Sequence, residues 1–196
     1  MSPNIPVLPV NIPKTEGVFT KWLGEKLLRL SGWQIKGNFP NEKKLILAVA
    51  PHTSNWDFVI GVIVKLALGV KLNFLGKDSI FIWPFKIWLK ALGGIAIDRK
   101  SAHGVVGQMV EKFAKQEQLI LVIAPEGTRS KVIEWKSGFL HIAKQGKIPV
   151  LPVQFDFINK QVVFYQPRLI TAEISAELRH FKQIFNKDCA KNPQYF

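Results

Sequence analysis

Leu45–Gly61, LILAVAPHTSNWDFVIG, decides how the rest of the chain reads. An apolar run, LILAVA, stops at Pro51, and a polar cluster of His52, Thr53, Ser54, Asn55 and Asp57 follows around Trp56 before the chain turns apolar again. A short, wholly apolar run bounded by turn residues reads as a strand buried on both faces. Ser54 with Asp57 three residues on has the spacing of a capping box, so a helix starts there and runs from Phe58 to Leu68. A five-residue step along a helix turns by roughly 140°, so His52 and Asp57 share no face if both are helical. If His52 stands in the preceding turn, it folds back over the first helical turn. Asp57 then accepts from the imidazole Nδ1–H, and Nε2 is left as a free base. On this stretch alone, a turn that only caps a helix and a turn that holds an acid–base pair are both open.

The pattern of a buried strand followed by a helix repeats along the chain. Pro3, Pro6, Pro9 and Pro13 make residues 1–16 an extended leader. Residues 17–31, GVFTKWLGEKLLRLS, form an amphipathic helix stopped by Gly32. It reads either as a core-packing helix or as an interfacial one with Trp22 and Trp33 at headgroup depth. A turn at Gly37–Asn41 leads into LILAVA, and Val70–Leu75 is a second strand. Residues 80–92, IFIWPFKIWLKAL, are the greasiest segment, with Pro84 in the first turn of a helix. IAI is a third strand, Ala102–Gln116 a helix, LILVIAP a fourth strand, and 137–145 a helix ending at Gly146. IPVLPVQF is a fifth strand placed at an edge or irregular because of Pro149 and Pro152. QVVFYQ is a sixth, and a last helix runs from about Glu173 to Phe185. Apolar strands alternating with helices imply an α/β fold. Residues 17–196 then form a single domain with a mostly parallel or mixed central sheet flanked by helices. In such sheets ligands bind beyond the carboxyl ends of strands, where the polar clusters of this sequence fall.

Bulk properties narrow the partners. The chain has 196 residues, 47% hydrophobic and 21% charged, with 27 Lys and Arg against 14 Asp and Glu, a formal net charge of +13. That balance implies an anionic partner. A mean hydropathy of +0.11 beside so much positive charge favours an anionic membrane surface over nucleic acid, for which no binding motif or basic stripe is present. Cys189 is the only cysteine, which excludes an intramolecular disulfide and cysteine-built zinc sites. No secretory signal is evident, and no uncharged apolar run reaches the roughly 18 to 20 residues of a spanning helix. A bacterial-type cytoplasmic protein, peripheral on the inner face of the cell membrane, is expected.

Two further loops carry chemistry. In APEGTRS, Ala124–Ser130, Gly127 permits close backbone approach or positive φ, and Arg129 offers a planar fork for a phosphate or carboxylate. The plainer alternative is a turn with a Glu126–Arg129 surface pair. In GGIAIDR, Arg99 falls just past a strand end, where an arginine is usually only solvated.

Taken together, His52 with Asp57, Gly93–Arg99, Pro125–Ser130 and Ile148–Pro152 resemble, in order and spacing, the four blocks of the glycerolipid acyltransferase family. That family includes the 1-acylglycerol-3-phosphate acyltransferases of phospholipid biosynthesis, and the resemblance spans about residues 45–155. It implies transfer of a fatty acyl group from acyl-CoA or acyl-carrier protein to a lysophospholipid hydroxyl, 1-acylglycerol-3-phosphate foremost. His52 is then the general base and Asp57 its orienting partner. Glu126, Gly127, Thr128 and Arg129 contact the acceptor, Arg99 contacts its phosphate, and Ile148–Pro152 form a wall near the site. Attack is direct, without an acyl-enzyme, and no metal or resident cofactor is expected. Pro51 stands where many members have Asn, Trp56 is bulky within the first block, and Ala96 replaces a common aromatic. These departures leave open a different hydroxylated acceptor, or a non-catalytic lipid-binding member.

Overall fold

A computed structural model of the chain describes residues 5–15, 17–97 and 104–196. Seven strands, β1 (Gln34–Lys36), β2 (Lys44–Ala50), β3 (Asn73–Lys77), β4 (Gly94–Ile97), β5 (Leu119–Ile123), β6 (Val150–Asp156) and β7 (Gln161–Phe164), form one sheet. Their order is β1-β7-β6-β2-β5-β3-β4. Only β6 and β7 pair antiparallel; the other pairs are parallel. This is the mixed, mostly parallel α/β sheet that the alternation of strands and helices implies.

LILAVA is apolar throughout because both faces of β2 are covered. Leu45, Leu47 and Val49 point to one face, where they pack with Leu28 of α1 (Val18–Ser31) and with Ile60, Val64 and Leu68 of α2 (Asn55–Leu68). Ile46 and Ala48 point to the other. There they meet Met109 and Phe113 of α4 (Gly104–Lys115), Phe139 and Ile142 of α5 (Gly138–Gly146) and Phe181 of α6 (Ile174–Ile184). A two-residue side-chain period in a strand covered on both sides leaves no position for a polar residue. Leu8 and Ile12 of the proline-spaced segment are also buried in the first of these cores, and Lys14 pairs with Val70.

The structure departs from the sequence reading in three places. β6 is not an edge strand: it lies between β2 and β7, and every residue of it is buried. Pro152 is accommodated because its carbonyl faces Tyr165, beyond the end of β7, so its missing N–H costs no bond in that ladder. β1, three residues long and in parallel register with β7, is an additional edge strand too short to show a periodicity. In the greasy segment the helix, α3 (Phe85–Ala91), begins after Pro84, which serves as its N-cap.

Gly32 and Gly69 end α1 and α2 in the left-handed conformation. Trp33, with Phe155 and Phe157 edge-on against it, belongs to the core and not to a headgroup layer. No helix among the described residues is long and apolar enough to cross a membrane.

The packing of α1 on α2 depends on Gly24. A Cβ there would stand 2.3 Å from the backbone nitrogen of Ala67, and backbone cannot yield as a side-chain tip does. Gly24→Ala is therefore expected to destabilise the fold by about 1–3 kcal/mol despite alanine's better helix propensity. The midpoint of urea unfolding measures it; an unchanged or raised midpoint contradicts this packing.

Candidate active site

The parallel strands β2 and β5 put their carboxyl ends on one edge of the sheet. β2 delivers Pro51 and His52, and β5, paired alongside it, delivers Ala124–Ser130.

His52 lies in the turn before α2, and Asp57 in the helix's first turn. The Asp57 carboxylate is buried, and its Oδ2 accepts the backbone N–H groups of Thr53 (2.7 Å) and Ser54 (2.8 Å). The Ser54 hydroxyl donates to Oδ1 at 2.9 Å. His52 Nδ1 stands 3.3 Å from the same Oδ2. The capping reading of this stretch therefore holds, with His52 placed within reach of the capping carboxylate. The capping bonds fix the carboxylate, and the fixed carboxylate faces the imidazole. With Nδ1 toward Asp57, the Nε2 lone pair is the one left to take a proton.

The turn is held from two further sides. Glu126 Oε1 accepts the backbone N–H of His52 at 2.8 Å. Thr53 is gripped by Asn192, whose N–H donates to the Thr53 hydroxyl at 3.1 Å and whose side-chain amide donates to the Thr53 carbonyl at 3.0 Å. Glu126 is 2% exposed, and its Oε2 meets no hydrogen-bond partner among the described residues. Burial, the dominant influence, pushes its pKa above the usual glutamate value, against the lowering effect of the backbone N–H groups around it. The side chain lies behind the His52 backbone and forms no surface pair with Arg129. Gly127 has φ 69°, and the Lys136 side chain would meet a Cβ there at 3.0 Å, so the loop requires glycine. Thr128 and Arg129 are exposed.

A cavity of about 470 Å³ opens beside these groups, between α2 and the sheet. His52, Asp57 and Arg129 are its polar lining near the loops, and Phe58, Leu47, Val49 and Phe155 continue it as an apolar wall. Of the fourth sequence block, Ile148 and Leu151 are core residues; the cavity wall from that strand is Val153 and Phe155. Trp56 points to solvent and does not line the cavity, so it does not crowd His52. Arg99 lies outside the described residues. A larger, shallower hollow of about 650 Å³ sits at the amino ends of β3, β4 and β5, among Lys71, Lys90 and Lys112. It is away from His52 and carries none of these groups.

Sequence reasoning missed Asn192, 139 positions from Thr53, and Lys65, which lines the apolar part of the cavity. Asn192 has no local signal. Lys65 had one: it is the charge interrupting VIGVIVKLALGV.

Comparison with known proteins bears on the family and the fold. The acyltransferase family profile matches residues 33–156. A 1-acyl-sn-glycerol-3-phosphate acyltransferase of Saccharomyces cerevisiae is 34% identical over 121 residues, covering 57% of this chain and 38% of the relative. One from Streptococcus pneumoniae is 27% identical over 135 residues, covering 63% of this chain and 49% of the relative. The chain thus spans half or less of the length of these relatives. The crystal structure of the 1-acyl-sn-glycerophosphate acyltransferase PlsC from Thermotoga maritima superposes with a TM-score of 0.62 at 21% identity, over 84% of this chain and 74% of that one, and shows a shared fold.

The Glu126 geometry makes a signed prediction. Its raised pKa means that the neutral form suits the folded state, so stability from this group is lost as pH rises through that pKa. Glu126→Gln keeps an acceptor for the His52 N–H and removes the charge. Its stability relative to the parent is expected to improve as pH rises from acid to neutral. Glu126→Ala leaves the His52 N–H unpaired and is expected to cost about 1–3 kcal/mol. Urea unfolding across pH measures both; a Gln variant whose relative stability falls with rising pH contradicts the assignment.

Proposed function

The chain belongs to the acyltransferase family, and we propose that it moves a fatty acyl group from an acyl-CoA or acyl-carrier-protein thioester to the free hydroxyl of a lysophospholipid, 1-acylglycerol-3-phosphate foremost. The observation that carries the reading is the His52–Asp57 pair at the polar end of a largely apolar cavity. Water-soluble acceptors do not call for such a cavity; a fatty chain does.

The reaction follows from the side chains present. Nε2 of His52 takes the proton of the acceptor hydroxyl as its oxygen attacks the thioester carbonyl carbon. Asp57 stabilises the imidazolium that forms. The new C–O bond closes as the C–S bond breaks, and the imidazolium proton passes to the departing sulfur, giving ester and free thiol. No side-chain nucleophile is needed, in keeping with a base that lines an open cavity. Arg129, exposed near the cavity, offers its guanidinium to the acceptor phosphate. In this reading Glu126 acts through the His52 backbone as a positioning residue, and does not touch the acceptor.

The membrane is the source of the acceptor in this reading. Trp83 is 81% and Trp88 76% exposed, with Ile82, Phe85 and Ile87 beside them and Lys86 and Lys90 interspersed. Val18, Phe19 and Trp22 of α1 are exposed as well. Aromatic and aliphatic side chains left in water next to lysines suit an anionic bilayer surface, with the rings at headgroup depth and the ammonium groups on the phosphates.

Two experiments test this. Purified protein given an acyl thioester and 1-acylglycerol-3-phosphate is expected to release thiol, and His52→Ala to lower that rate by about 10²-fold or more. Equal turnover by the variant sinks the mechanism. Flotation with anionic liposomes is expected to drop when Trp83 and Trp88 are both replaced by Ser; undiminished binding removes those rings from the membrane surface.

A further inference from the structure

The face of α2 that lines the apolar cavity carries Phe58, Gly61, Val62, Lys65 and Leu68, at three- and four-residue spacing. Two of these break the pattern. Gly61 has no side chain, and a Cβ placed there would meet Phe155 Cζ at 3.6 Å and nothing else within 4 Å, so the space beside it is open. Lys65, one turn on, brings an ammonium among Leu68, Leu72, Leu89 and Leu92. It forms no ion pair with a described carboxylate. Its Nζ donates to the carbonyl of Leu92, the C-cap of α3, at 2.6 Å. Burial pulls its pKa below the ordinary lysine value. A lysine near a surface normally snorkels into water; here the carbonyl at the end of α3 holds the head group against the cavity. An ammonium has three N–H groups, and among the described residues one of them finds a hydrogen-bond acceptor, the Leu92 carbonyl.

We infer that Lys65 is a specificity-determining residue: its ammonium ends the path of a fatty chain that enters beside His52 and Asp57 and runs past Gly61. The inference rests on the acyl-transfer reading for the nature of the occupant. The remaining ammonium N–H groups need water, which a methylene chain cannot replace. The chain therefore stops about 12 Å along α2 from Asp57, by the helical rise, and the space lined by Leu68 and Leu72 further on is withheld from it. Donor and acceptor each carry a fatty chain, and to an apolar wall the two are the same chemistry.

Calorimetric binding of free saturated fatty acids of stepped length reads the path without requiring catalysis. For the parent protein, affinity is expected to rise by about fourfold per methylene and then level off. Lys65→Met, and independently Lys65→Leu, are expected to move the plateau to longer chains. Gly61→Leu, filling the open middle, is expected to move it to shorter ones. Turnover with the donor chain varied and the acceptor fixed, then the reverse, identifies whose chain is measured, because the plateau follows only one of them. Parent-length plateaus in both Lys65 variants, with Gly61→Leu shortened, overturn Lys65 as the stop. Plateaus unmoved in all variants overturn the whole path. Plateaus that move in a protein that turns over no thioester sink the acyl-transfer reading and leave the Lys65 stop standing.

Discussion

One carboxylate oxygen organises this site. Asp57 Oδ2 accepts the amides of Thr53 and Ser54 and faces His52 Nδ1. An aspartate buried this deeply needs its charge answered, and two backbone N–H groups answer it where a lysine or arginine would otherwise be required. The same bonds start the helix. Because the cap is built from the residues that follow His52, forming α2 and aiming the carboxylate at the imidazole are one event. A free helix end and a free dyad do not exist separately in this turn.

The turn itself has little structure of its own and is held by its neighbours. Glu126 reaches it from the loop after β5, because β2 and β5 are adjacent and parallel and so end together. Asn192 reaches it from the segment after α6. The Glu126 contact is costly, since the carboxyl is buried with one oxygen unpartnered among the described residues, and the fold tolerates that cost beside His52. The second face of the sheet, packed by α4, α5 and α6, is by contrast built around an apolar cluster, and the described buried residues of that cluster do not line the His52 cavity.

Physical complementarity runs through the cavity. Its charged and titratable groups lie near the strand ends, its middle is apolar and widened by Gly61, and one cation lies further along α2, tied to the end of α3. α3 itself turns its aromatic residues outward, so the helix that anchors the Lys65 ammonium also presents an exposed apolar surface. No described element of the sheet or its helices covers those rings.

Much of this was legible in the sequence. Wholly apolar strands fix burial on both faces, and helices between them fix parallel pairing, so the fold class followed from periodicity. Ser54 and Asp57 announced the cap, and the spacing of four short blocks announced the family. What failed were local rules overridden by place: Pro152 suggested an edge strand, but strand order set β6 inside, with the missing N–H past the end of β7. Trp22 and Trp33 had the same local character, yet one faces water and the other is core. Sequence alone determined the apolar strands, the helix cap and the blocks that mark the family, because residue type and short spacing are local. Only the tertiary structure decided what each one touches: Glu126 behind His52, Asn192 on Thr53, Lys65 against Leu92. Those contacts join residues 27 to 139 positions apart, and sheet order and helix packing, not spacing along the chain, bring them together.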